Sequence, residues 1–219
     1  MRKKMSLKAI LIPTLSLFLI CAVVTALLAV TNSVTAEKIA ANEAQSKQES
    51  MRKVLPDATD FTPVFEDSTD YEIYLGSYAV DDATTASIGF AISTAASGYG
   101  GQVKVMTGFD LEGNIIGVDV FYNDDETPGL GKNTSNESFT DQYKGLTSAG
   151  DIVVSKDATT ENSQTIDAVT SATISSRAVT AAVNEACEIY NEKCAGFLEL
   201  AASVSGGVDD TEAAGKEAE

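Results

Sequence analysis

The chain has 219 residues, 44% hydrophobic and 21% charged, and contains no histidine. That absence excludes Ser-His-Asp and Cys-His catalysis, imidazole-ligated zinc or copper and His-ligated haem. With 15 Lys and Arg against 32 Asp and Glu the net charge is -17, the wrong sign for a partner of nucleic acid.

The charge is unevenly spread. Arg2, Lys3, Lys4 and Lys8 form a basic end, residues 1–8, without an acid, and the rest of the chain carries 11 positive charges against 32 negative, net -21. Residues 9–30, AILIPTLSLFLICAVVTALLAV, carry no charge. As a helix this run is about 33 Å long, enough for a hydrocarbon core of about 30 Å, so membrane lipid is an expected partner. Basic residues before such a segment place residues 1–8 in the cytoplasm and the remainder outside it. A cleaved signal peptide with Val34-Thr35-Ala36 as its processing site is the rival reading; the length of the apolar run favours a retained anchor. A lipoprotein reading of Cys21 is weaker, because bulky Phe18, Leu19 and Ile20 precede it.

Residues 37–60 are expected as a juxtamembrane helix and linker, the helix spanning 37–55 and ending at Pro56. Strand character follows at Tyr71–Tyr78 and Ser87–Ile92, then a Gly98-Tyr99-Gly100-Gly101 loop. Val103–Thr107 and Ile115–Tyr122 flank Asp110-Leu111-Glu112-Gly113-Asn114, a turn that predicts a hairpin. A loop through Asp125–Lys132 leads to a short helix near Ser138–Tyr143 and a strand at Asp151–Val154. An amphipathic helix is expected over Ile174–Gly196, and residues 203–219 read as a disordered acidic tail. The fold class is α+β with an antiparallel sheet, residues 61–202 forming one extracytoplasmic domain. Cys187 and Cys194, seven apart on this helix, are too distant to pair with each other and read as small apolar core residues.

Asp167-Ala168-Val169-Thr170-Ser171-Ala172-Thr173 places hydroxyls immediately before that helix. Exposed N–H groups there suit a phosphate, and the same residue types also serve as plain N-caps. The motif resembles the flavinylation motif of the FMN-binding domain in the Rnf and Na+-pumping quinone reductase complexes. Gly98–Gly101, the hairpin through Gly113 and Glu126-Thr127-Pro128-Gly129-Leu130-Gly131 recur in that family in this order. Val54-Leu55-Pro56 behind a single membrane helix is similar to the G subunit, RnfG.

The resemblance implies FMN covalently attached through its phosphate to Thr173, with Thr170, Ser171 and Ala172 completing the motif and Ser175 or Ser176 holding the phosphate. It implies that Asp167 is read by an ApbE-type flavin transferase, which uses Mg2+ and a flavin adenine dinucleotide donor. It makes the loop from Glu126 and Thr127 through Pro128, Gly129 and Leu130 to Gly131 a wall of the flavin site, with Tyr99 beside it. The flavin supplies the redox chemistry, and the chain serves as an electron-transfer subunit among other Rnf-type membrane and redox subunits of a ferredoxin:NAD oxidoreductase. The C subunit of a Na+-pumping quinone reductase, a free-standing flavinylated carrier and a non-redox anion-binding module are the alternatives. Two departures stand out: Asp124-Asp125, where many members have His, and Ser171, where the family more often has Gly. A serine at 171 is expected only if its φ is negative or nearly so.

Overall fold

The computed structural model describes residues 7–65, 71–81, 84–155 and 164–196; the acidic tail expected at 203–219 lies outside them. The chain divides into two units between Gln45 and Ser46. The expected membrane and juxtamembrane helices are one helix, α1 (Leu7–Val54). The polar stretch between them does not break it, because Thr31, Ser33 and Thr35 donate their hydroxyls back to the carbonyls of Leu27, Val30 and Thr31. Pro13 sits inside the helix in its second turn, where its missing N–H leaves the Ala9 carbonyl without that rung of the ladder. The apolar side chains from Leu11 to Val34 are exposed, as on a helix whose solvent is lipid.

The second unit is built on an antiparallel meander of β1 (Asp60–Phe65), β2 (Glu72–Asp81), β3 (Thr84–Ser97), β4 (Gln102–Asp110) and β5 (Ile115–Tyr122), in that spatial order. The strand β1 was not expected. It holds Pro63 on an edge, where a missing N–H costs no ladder bond. The expected hairpin is β4–β5, with Thr107 opposite Val118 and Gly113 at φ 87.

Alternation gives the sheet two apolar faces. On one, Ile73, Phe90, Ile92, Val105, Phe109 and Val118 pack against α3 (Thr173–Ile189) and the π-helical turn Tyr190–Cys194 that extends it. Cys187 and Cys194 are buried there as free thiols, and burial pushes each up to about 12, so both stay neutral. On the other face Met51, Val54, Leu55 and Ala58 pack on Ala91 and Met106. Glycine makes that approach possible: a Cβ on Gly108 would lie 2.6 Å from the Val54 carbonyl oxygen. Val54-Leu55-Pro56 is thus the seat of the α1 end on the sheet.

A 3-10 turn over Gly131–Ser135, a short α2 (Glu137–Thr140), a second 3-10 turn over Asp141–Tyr143, and β6 (Ile152–Val154) with β7 (Gln164–Ile166) complete the described part of the unit. The β6–β7 pair is parallel and stands apart from the five-stranded antiparallel sheet, which is the α+β arrangement expected. Side-chain amides continue its backbone ladder. Asn184 accepts from the Ile152 N–H and donates to the Ile152 carbonyl, and Gln164 does the same for Thr147. These pegs hold the segment that carries the Asp167 motif.

Candidate functional site

Three segments distant in sequence meet around one cavity of about 510 Å³, within the roughly 300–1,000 Å³ usual for cofactor sites. Its wall comprises Tyr99 from the loop after β3, Glu126, Thr127, Leu130 and Gly131 from the loop after β5, and Ser171 through Ser175 at the start of α3. Tyr99 is 71% exposed, Ile174 52% and Leu130 40%, so the wall carries apolar surface without a core to bury it.

Glu126 ties the three segments together and is only 2% exposed. Its Oε1 accepts from the Tyr99 N–H at 2.7 Å and the Gly100 N–H at 3.4 Å; its Oε2 accepts from the Ser175 hydroxyl at 2.8 Å. A Cβ on Gly98 or on Gly131 would collide with this carboxylate, which is why the glycines of both loops surround it. The loop is folded locally by Leu130 and Lys132 donating their N–H groups to the Thr127 carbonyl, with Gly129 at φ 78.

The start of α3 departs from the plain N-cap reading and keeps the exposed N–H groups of the other. Ala172 is the N-cap residue, and no side chain caps the helix, so the hydroxyls of the motif are not spent as caps. Among the described residues nothing accepts from the N–H groups of Thr173, Ile174 and Ser175. The Thr173 hydroxyl, half-buried on the cavity wall, has no partner among them either. Ser171 has φ 63, which corrects the expectation of a negative value. The serine sits in the left-handed region at a cost of roughly 1–2 kcal/mol and turns the chain into the helix.

Ser176 is also corrected. It is fully buried and off the cavity wall, accepting from the Val169 N–H and donating to the Ala172 carbonyl. A buried chain supports it: the Tyr143 phenol donates to Thr180, whose hydroxyl donates to the Ser176 carbonyl. Burial pushes the Tyr143 pKa above its ordinary value, which keeps it a neutral donor. Ser175 stays on the wall, but its hydroxyl proton goes to Glu126.

Asp167, Thr170, Pro128 and Gly129 do not line the cavity, and Asp167 and Thr170 are exposed. Asp167 is held from outside the motif. The Gln142 amide bonds both its N–H and its carbonyl, and Ser155 donates to its Oδ1. Ile174, Gln142 and Ser155 were not among the residues expected at the site. An isoleucine in the polar first turn of an amphipathic helix was the available signal for the first; the other two had none.

A family model described as the FMN-binding domain matches residues 98–188, and one described as the RnfG N-terminal region matches residues 1–54. The G subunit of the Na(+)-translocating ferredoxin:NAD(+) oxidoreductase complex of Acetobacterium woodii is 35% identical over 191 residues, covering 80% of this chain and 89% of the relative. The chain belongs to the RnfG family. The G subunit of the proton-translocating ferredoxin:NAD(+) oxidoreductase complex of Clostridium ljungdahlii is 31% identical over 175 residues, covering 80% and 86%. A solved structure of the C subunit of the Na(+)-translocating NADH-quinone reductase of Parabacteroides distasonis superposes with a TM-score of 0.53 at 16% identity, over 71% of this chain and 94% of that one. This likeness is one of fold.

In this RnfG family member the FMN-binding match contains all three wall segments and Asp167. The cavity suits that cofactor. Tyr99, Leu130 and Ile174 offer apolar surface for a flat ring, and the unaccepted N–H groups at the start of α3 offer donors for a phosphate.

Proposed function

We propose that this chain is the electron-transfer subunit of a membrane-bound, ion-translocating ferredoxin:NAD oxidoreductase and carries its FMN as a phosphoester on Thr173. The observation that carries the attachment is the unpartnered Thr173 hydroxyl on the cavity wall, beside the unaccepted first-turn N–H groups of α3. The neighbouring Ser175 and Ser176 hydroxyls are committed to Glu126 and Ala172. Attachment by an ApbE-type transferase forms a bond between the Thr173 oxygen and the FMN phosphorus. It breaks the pyrophosphate of the flavin adenine dinucleotide donor, releases AMP and gives up the hydroxyl proton.

Once bound, the flavin supplies the one- or two-electron chemistry. The chain holds and orients it, and the partners are the other membrane and redox subunits of the complex. The two relatives above are named for different ions, so family membership leaves the coupling ion open. The basic residues Arg2 to Lys8 favour a cytoplasmic N-terminus, with the FMN domain outside.

Intact-mass measurement of the chain made beside a transferase tests the attachment. Added mass of FMN less water is expected in the wild type and in Thr170→Ala, and none in Thr173→Ala; flavin retained in Thr173→Ala overturns the assignment. Protease added outside intact cells should cut the domain as readily as an outward-facing control.

A further inference from the structure

Among the described residues Glu126 is the charged side chain in the buried class, and it lies on the wall of the cavity. The attachment chemistry makes no use of it. Three donors converge on its two oxygens, the N–H groups of Tyr99 and Gly100 and the hydroxyl of Ser175, and all three are neutral. No Lys or Arg among the described residues forms an ion pair with it. The site therefore holds a carboxylate that neutral donors hydrogen-bond and that has no cationic partner among the described residues. A buried charge acts more strongly on a neighbouring group than an exposed one, because little water screens it.

We infer that Glu126 lowers the reduction potential of the flavin held in this cavity. The inference rests on the FMN reading of the site. At neutral pH the oxidised ring accepts two electrons and one proton and so gains one negative charge. A fixed carboxylate on the same wall opposes that gain and leaves the oxidised ring unaffected, so the loaded protein becomes a stronger reductant toward its acceptor. The glycines at 98 and 131 serve this arrangement, because any side chain there would displace the carboxylate.

Glu126→Gln tests it, since Gln keeps the shape and a carbonyl acceptor for the Tyr99 N–H, while the Ser175 hydroxyl can turn to accept from its amide. The full-length chain, flavinylated in cells and solubilised in detergent, is titrated with dithionite, which supplies two electrons per flavin and is oxidised to sulfite. At a fixed ambient potential the ratio of reduced to oxidised flavin should rise about tenfold in Glu126→Gln, an upward shift of about 30 mV for a two-electron couple. Ser175→Ala removes one hydrogen bond and keeps the charge, so its potential should not rise.

An unchanged potential in Glu126→Gln, or an equal rise in Ser175→Ala, overturns the inference and leaves the FMN reading standing. Absence of denaturation-resistant flavin from the wild type overturns both. Should Glu126→Gln fail to load, Glu126→Asn against Glu126→Asp makes the same comparison, with Asn expected higher. If Glu126→Asp loads flavin and every neutral variant stays empty, Glu126 serves to assemble the site and the tuning role is overturned.

Discussion

Two turns that open with aspartate, Asp110–Asn114 and Asp167–Thr173, differ in where their donors and their positive φ go. In the first, Asp110 satisfies its own turn. Its Oδ1 accepts from the N–H groups of Glu112 and Asn114, its Oδ2 accepts from the Asn114 amide, and the positive φ falls on Gly113, where it costs little. In the second, Asp167 is held by Gln142 and Ser155, and the positive φ falls on Ser171. The N–H groups of Thr173, Ile174 and Ser175 are left without acceptors among the described residues. The same kind of sequence closes on itself in one place and stays open in the other. An open set of donors beside a cavity is a feature of ligand sites, since a purely structural turn gains nothing by leaving them.

The sharpest way to break this contrast is Thr173→Val. It should remove all covalent flavin, read by intact mass, while changing stability by less than about 1 kcal/mol, because the lost hydroxyl has no partner to abandon. A large loss of stability would make the hydroxyl structural and erase the difference between the two turns. Asp167→Ala should come next. We expect the initial rate of flavinylation to fall several-fold while the melting temperature moves by no more than about 4 °C, the equivalent of about 1 kcal/mol. The reverse ranking would make Asp167 a second Asp110.

Asp110→Ala should behave in the opposite way. Three donors lose a charged acceptor, so urea unfolding should report a loss of about 2 kcal/mol, with flavin loading unchanged. The smallest effect is expected at Ser171→Gly, which relieves the left-handed backbone and should stabilise the chain by about 1 kcal/mol. Gly113→Ala, the matching change in the other turn, should destabilise instead, because its Cβ would lie 2.7 Å from the Ser148 hydroxyl.

Legibility follows the range of the interactions. Each feature anticipated from the sequence is written in neighbouring residues: the uncharged run of 9–30 in α1, the alternation around Gly113-Asn114 in β4–β5, and the 3.6-residue pattern in α3. The motif residues Ser171, Ala172, Thr173 and Ser175, with Tyr99, Glu126, Thr127, Leu130 and Gly131, were expected at the site and share one wall. What the local pattern lacks is every relation between distant segments. Ser175 and Glu126 are 49 residues apart, and Gln142 and Asp167 are 25 apart.

The sequence by itself therefore determined the long apolar helix and the antiparallel hairpin, because apolar run length and residue alternation are properties of adjacent residues, while Thr173 was pointed to by the resemblance of its motif. Only the tertiary structure decided that Ser176 faces the core, that Ser171 bears a positive φ and that Pro63 lies on an edge strand. It also decided that Glu126 binds three segments at once. The partners of Glu126 in that tie, Tyr99 and Ser175, lie 27 and 49 residues from it, so no window of neighbouring residues contains both ends of either bond.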